Sequence, residues 1–397
     1  MQAHLAQTIT AAGGWIGFER FMHEALYAPK LGYYAASLPK LGLSGKDGSD
    51  FVTAPELSPF FGAALAAQIA QVLQATQTDT VYEFGAGTGK LAEQIIRSLQ
   101  AQHPGLLKRY VIVDISSHLR GVQQARLAQF GHLLHWADSL PAQITGVLLG
   151  NEVLDAMPVK LLQRKGGVWH ERGVSLNQNA FSGMKNDFEA AESAWAAIKN
   201  EKESHGLARH EAPRNDGVFI WQDRPTDLRP PLAIEGSHDY LTEIHPQAEG
   251  FISTLAERLQ RGAMLWIDYG FSETEYYHAQ RYMGTLMCHQ GHRSDPDPLA
   301  AVGCKDITTH INFTGIALAA QNAGVGAEVL GYTTQGRFLI NCGLLEMLAN
   351  ASLAERSDAQ KLIFEHEMGE LFKVIAIGKD CEMDLLGFSS GDRSHTL

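Results

Sequence analysis

The segment best equipped for chemistry is Val81-Tyr82-Glu83-Phe84-Gly85-Ala86-Gly87-Thr88-Gly89, an apolar run ending in alternating glycines. Glycine reaches backbone conformations closed to other residues and puts no Cβ between the chain and a ligand. A helix opening at Lys90 would add the unpaired amides of its first turn. Nucleotide-bearing cofactors use such turns, and the spacing separates two of them. The dinucleotide fingerprint Gly-x-Gly-x-x-Gly needs glycine at position 90, where Lys90 stands. Glu83 would also repel a pyrophosphate, whereas it suits the ammonium of a methionine moiety. S-adenosyl-L-methionine is therefore the expected cofactor rather than NAD.

A second apolar run ends in Asp114-Ile115-Ser116, at the distance of an acid that grips ribose hydroxyls with charge-assisted hydrogen bonds. Both cofactor classes use such an acid. Trp136 and Asp138 follow a third run and could hold adenine by packing and a hydrogen bond; an ordinary turn with surface acids is the alternative. After a fourth run comes Asn151-Glu152-Val153-Leu154-Asp155. Ligands of open α/β sheets sit beyond the carboxyl ends of strands, which puts Asn151, Glu152 and Asp155 beside the transferred methyl as candidate catalytic residues. The segment is not the Asn-Pro-Pro-Tyr motif of amide and exocyclic-amine methylation. Paired carboxylates suit a cationic nucleophile, and guanidinium is recognised by a planar carboxylate fork. For Asp155 a helix-capping role is the competing reading. A His- and Asp-rich stretch holds His289, Asp306 and His310, with no pair at metal-ligand spacing on one helical face. No metal is expected. These three residues are candidates for the substrate side of the pocket, with a hydrogen-bonded structural loop as the alternative.

The elements that must position these residues alternate strand and helix. Strands are expected at 80–84, 109–114, 132–135 and 146–150, with helices over 90–100 and 117–129. That rhythm implies a parallel, doubly wound sheet. A helix is expected over His4–Tyr34, a loop over Leu38–Pro59, and a helix over Phe60–Leu73. A small antiparallel excursion is expected over 159–174, turning at Gly166-Gly167. A helix at 248–261 and a strand at 263–268 resume the core, and 281–315 reads as a long functional loop. Phe338-Leu339-Ile340 and Lys373–Ile377 are expected as the last two strands. The implied domains are an N-terminal helical segment (1–60), a core split into 61–180 and 246–397, and an insertion at 181–245.

A chain of 397 residues, 45% hydrophobic, can bury a large core. Its 32 Lys+Arg against 44 Asp+Glu argue against a nucleic-acid partner, which draws affinity from basic surface. The four cysteines form no CxxC pair, so neither a zinc site nor a disulfide framework is indicated. The amino terminus has neither a signal-peptide core nor an arginine before Arg20, and no apolar run could cross a bilayer. The expectation is a cytoplasmic protein.

Longer strings resemble the MidA-type methyltransferases, a family that includes the mitochondrial complex I assembly factor that dimethylates arginine on a complex I subunit. They are Ala25-Leu26-Tyr27 with Gly32-Tyr33-Tyr34, Asp50–Ser58, Glu83–Gly89, and Gly150-Asn151-Glu152 through Asp155-Ala156-Met157-Pro158. Further strings are Ile267-Asp268-Tyr269-Gly270, Gly284-Thr285-Leu286, Asp297-Pro298-Leu299, Asp306-Ile307-Thr308, Asn312-Phe313 and Met368–Val374. The resemblance spans nearly the whole chain. It implies a class I methyltransferase (Rossmann-like) α/β fold with a seven-stranded, mostly parallel sheet. It also implies that an amino-terminal segment including Thr53-Ala54-Pro55-Glu56 packs over or near the cofactor, with Thr53 and Pro55 as cofactor-binding candidates. Relatives carry bulkier residues where this chain has Ala86 and Thr88, and other residues after Gly284-Thr285-Leu286. The expected activity is N-methylation of arginine on a protein, a respiratory-complex subunit being one candidate. The alternative is an assembly chaperone on a methyltransferase scaffold.

Overall fold

A computed structural model describes residues 1–35, 53–177 and 217–397. Its centre is a sheet in the order β15 (Glu328–Thr334), β16 (Phe372–Lys379), β10 (Leu259–Phe271), β5 (Ile144–Asn151), β2 (Thr80–Phe84), β3 (Arg109–Val113), β4 (Leu134–Ala137). Only β16 runs against the others in this path, and the short β14 (Ile311–Asn312) adds to the end of β10. This is the class I methyltransferase arrangement. The strand order reverses between β2 and β5, which opens a crevice at their carboxyl ends.

The sheet is buried on both faces. Successive side chains of a strand point to opposite sides. Val147 and Leu149 therefore join Ile95 and Leu65 on one face, while Leu148 joins Ile252 and Ile316 on the other. In β10, Ala263, Leu265 and Ile267 serve the first face and Met264 and Trp266 the second. The helix Pro59–Thr76 begins with proline after Ser58, whose hydroxyl accepts from the Phe60 amide at 3.3 Å.

An accessory sheet runs β1 (Trp15–Gly17), β7 (Val168–Leu176), β6 (Lys160–Lys165), β9 (Tyr240–Ile244), with β8 (Phe219–Pro225) also on β7. The expected hairpin at Gly166-Gly167 joins β6 to β7. This sheet draws on the N-terminal segment, on residues before 181 and on residues before 245, so it crosses the expected boundaries. The start of the expected insertion lies outside the described residues. So does most of the expected 38–59 loop, of which Ala54–Leu57 is a short helix.

Three expectations are corrected. The single helix over His4–Tyr34 is two, Gln2–Ala11 and Phe18–Tyr27, separated by Gly13 and Gly14 at φ 80° and 90°. Phe338-Leu339-Ile340 lies in the helix Gln335–Asn341, which Thr334 caps by accepting from the Arg337 amide; the edge strand is β15 instead. A short apolar run fits a buried helix as well as a strand. The stretch 281–315 is not a plain loop. It holds the small sheet β12 (Arg293–Asp295), β11 (Met287–Gln290), β13 (Asp306–Thr308), followed by β14 and the start of the helix Phe313–Asn322. Among the described residues no helix is long and apolar enough to cross a membrane.

Candidate active site

After β2 the chain turns through Gly85, Gly87 and Gly89 at φ 61°, 54° and 78°, and the helix Lys90–Gln102 begins. That region of φ favours glycine, so the alternating pattern is a backbone requirement. Past β3, the Asp114 carboxylate accepts from the Ser116 amide at 2.9 Å and from Gln123 Nε2 at 2.8 Å. Gln123 also donates to the Gly87 carbonyl at 3.0 Å and accepts from Trp136 Nε1 at 3.0 Å. One buried amide thus ties the glycine turn to Asp114. Glu83 is buried at the end of β2 and accepts the Tyr110 hydroxyl at 2.7 Å. Burial pushes its carboxyl up to about 7; the Tyr110 bond opposes this and the Asp114 charge adds to it.

The segment after Val52 lies across this turn. Thr88 Oγ1 donates to Glu56 Oε1 at 2.5 Å, and Gln94 Nε2 donates to the Pro55 carbonyl at 2.7 Å. A cavity of about 710 Å³ results, within the usual range for small-molecule sites. Of the expected cofactor residues, Thr53, Pro55, Glu83, Gly85, Ala86, Gly87, Thr88, Asp114, Ile115, Ser116 and Asn151 line it. Gly89 shapes the turn from behind. Trp136 and Asp138 are not in the lining: Trp136 holds Gln123, and Asp138 is exposed and paired with Arg120 at 2.5 Å. Leu119, Leu140 and Phe251 supply apolar wall instead.

The other end of the cavity lies past β5. Glu152 has φ 54°, an uncommon conformation for a side chain with a Cβ and one that concentrates at functional sites. The turn is held from β10. The Glu152 amide donates to the Ile267 carbonyl at 2.9 Å, and the amides of Val153, Leu154 and Asp155 donate to Asp268 Oδ2 at 3.2, 2.9 and 3.2 Å. Asn151 Nδ2 donates to Glu152 Oε1 at 3.1 Å, and the Tyr269 hydroxyl donates to Asp155. Asn151 and Glu152 line the cavity, whereas Asp155 is buried behind it.

The carboxyls here resist ionisation. Burial, then the nearby Asp155 charge, raises Glu152 to about 8, against hydrogen bonds from Asn151 and the Ala54 amide. Burial raises Asp155 to about 6 despite the Tyr269 bond, and burial with the Asp155 and Glu152 charges raises Asp268. The Tyr34 hydroxyl donates to both oxygens of Asp306 at 2.8 and 2.9 Å, and Tyr34 lines the cavity. Asp306 therefore stands one hydrogen bond behind the wall. His289 and His310 do not line the cavity. His310 packs edge-on against Tyr269 and Phe271, and burial with the Arg281 and Lys373 charges lowers it to about 4. Site residues that no sequence expectation names are Tyr27, Tyr34, Gln123 and Asp268, whereas Glu56 lies in the segment expected near the cofactor. Tyr27, Tyr34 and Asp268 sit inside the family strings, but no spacing marks them as chemistry.

Among the described residues the lining carries four carboxyl groups, Glu56, Glu83, Asp114 and Glu152, and one ammonium, Lys90. Such a cavity suits a cationic guest and disfavours a pyrophosphate. The donor set fits S-adenosylmethionine: Glu83 would face the ammonium end, Asp114 would hold the ribose, and the turn without side chains would allow close approach. Bound there, the cofactor would supply a methyl group on a positively charged sulfur.

Residues 64–333 match the model of a family described as S-adenosyl-L-methionine-dependent methyltransferases. The mitochondrial protein arginine methyltransferase NDUFAF7 of Danio rerio is 27% identical over 94% of this chain and 86% of its own. The human protein of that name is likewise 27% identical, over 95% and 83%. A crystal structure of a superfamily member from Burkholderia thailandensis, bound to S-adenosyl-homocysteine, is 42% identical. It covers 100% of this chain and 96% of its own, with a TM-score of 0.86. The chain belongs to this family of S-adenosylmethionine-dependent methyltransferases.

Proposed function

We propose that the protein methylates a guanidinium nitrogen of arginine on another protein. The observation that carries this reading is Glu152, an acid on a left-handed turn at the end of β5, in the same cavity as the glycine turn. A carboxylate pairs with guanidinium through parallel hydrogen bonds, which fixes the plane of the cation. Held so, one nitrogen can face the cofactor's methyl in line, and alignment of this kind supplies much of a catalyst's effect. Asn151 and the amides tied to Asp268 hold that carboxylate in place. The NDUFAF7 relatives are named protein arginine methyltransferases, which supports the same reading. A respiratory-complex subunit is the first acceptor to test, and the cytoplasm the compartment we assign.

The test is transfer of labelled methyl into a cell lysate and into peptides bearing arginine or lysine, followed by mapping. We expect label on arginine alone. Label on lysine would refute the acceptor assignment, and cofactor binding with no labelled product would favour an assembly scaffold.

A further inference from the structure

The N-terminal unit contributes to the acceptor end of the cavity as well as to the cofactor end. Tyr27, at the end of the helix Phe18–Tyr27, and Tyr34, seven positions on, both line the cavity that holds Glu152. Their rings are nearly parallel, with an interplanar angle of 18° and centroids 5.6 Å apart. Both hydroxyls are committed to protein. Tyr27 donates to the Ala156 carbonyl at 2.8 Å, and Tyr34 donates to Asp306 at 2.8 and 2.9 Å. What these residues offer a guest is therefore aromatic surface, fixed by hydrogen bonds to two separate parts of the core. The unit is anchored: Phe18, Phe21, Ala25 and Leu26 are buried against the accessory sheet.

Aromatic faces attract cations, and a planar guanidinium can stack on them as well as pair with a carboxylate at its edge. An ammonium is a compact, strongly hydrated charge that gains less from a flat wall. We propose that Tyr27 and Tyr34 form the specificity-determining wall of the acceptor site, holding a planar cation flat beside Glu152, with Asp306 as the positioning residue for Tyr34. This rests on the arginine reading of the same site. It assigns the discrimination between arginine and lysine to the N-terminal unit, not to the strand ends that carry the cofactor residues.

The experiment uses the full chain and the arginine peptide series with a lysine counterpart. Tyr27→Leu and Tyr34→Leu remove a ring but keep apolar bulk, Tyr34→Phe keeps the ring and removes its tether, and Asp306→Asn keeps an acceptor for it. Each leucine variant is expected to raise the arginine-peptide KM at least tenfold. S-adenosyl-homocysteine affinity, read by calorimetry, is expected to stay within twofold. Tyr34→Phe should raise KM roughly threefold, and Asp306→Asn should stay closer to wild type than Asp306→Ala. Arginine-peptide KM within twofold of wild type in both folded leucine variants would overturn the proposal. Should these not fold, an unchanged KM in Tyr34→Phe overturns it and a raised one supports it. Failure of the underlying reading looks different: the wild type itself would leave arginine unlabelled while still binding S-adenosyl-homocysteine.

Discussion

Glu152 combines three features that would each be costly on their own. It has a side chain at positive φ, its carboxyl is hemmed in by protein, and other acids stand near it. Its folded value near 8 lies above the 4.5 of an ordinary glutamate. The neutral form is thus favoured by folding; that stabilisation is complete below about 4.5 and is lost as pH rises through about 8. Above that pH the free protein holds a buried charge that a cationic acceptor would relieve. Two outcomes follow for Glu152→Gln. Methyl transfer should fall by about a hundredfold, the scale for loss of one precisely placed polar group, with cofactor affinity little changed. The melting temperature of the unliganded variant at pH 9 should exceed that of wild type by about 2 °C, and the two should converge at pH 5. In wild type, methyl transfer should rise with pH toward 8 as this carboxylate ionises. A pH profile flat from 6 to 9 would count against the role.

At the scale of elements, the glycine turn is enclosed by a separate part of the chain. The short helix Ala54–Leu57 reaches it through Glu56 and Thr88 and is held by Gln94 from the helix behind. Glu56→Ala removes the link to Thr88 and leaves the turn intact. A hydrogen bond to a charged group is worth about 1.5–3 kcal/mol, so cofactor affinity should weaken roughly tenfold. Stopped-flow binding should show the loss in the dissociation rate; an unchanged rate would mean that the segment does not cover bound cofactor. The strand ends were legible because each follows a short apolar run. The strands expected at 80–84 and 109–114 are Thr80–Phe84 and Arg109–Val113. Phe338-Leu339-Ile340 misled for a physical reason. Its side chains are apolar enough for a strand, and only the cap at Thr334 and the packing of Phe338 against Phe388 make it a helix.

The whole molecule sets the sign of the field in the cavity. Acids arrive from the N-terminal segment, β2, β3 and β5, and they converge at the crevice where the strand order reverses. A cationic cofactor should therefore stabilise the protein strongly. At a hundred times its dissociation constant S-adenosylmethionine should add about 2.7 kcal/mol, visible as a thermal shift. NAD at the same concentration and at pH 9, where Glu83 and Glu152 are ionised, should give none, because its pyrophosphate would meet both charges. A comparable shift with NAD would contradict the charge argument.

The sequence by itself determined the glycine turn, the acid after β3 and the turn at Asn151-Glu152, because each is set by a local rule: glycine where φ is positive, or a polar residue where a buried strand ends. It also carried the family, through strings spread along the chain. Only the tertiary structure decided which acids face the cavity and which stand behind it. Asp155 and Asp306 are kept from the lining by Tyr269 and Tyr34, and Asp138 is drawn outward by Arg120. Tyr27 and Tyr34 reach the cavity that Glu152 lines across more than a hundred residues of chain, through bonds to Ala156 and Asp306. Such contacts depend on how distant elements pack, and no periodicity or spacing within a segment encodes them.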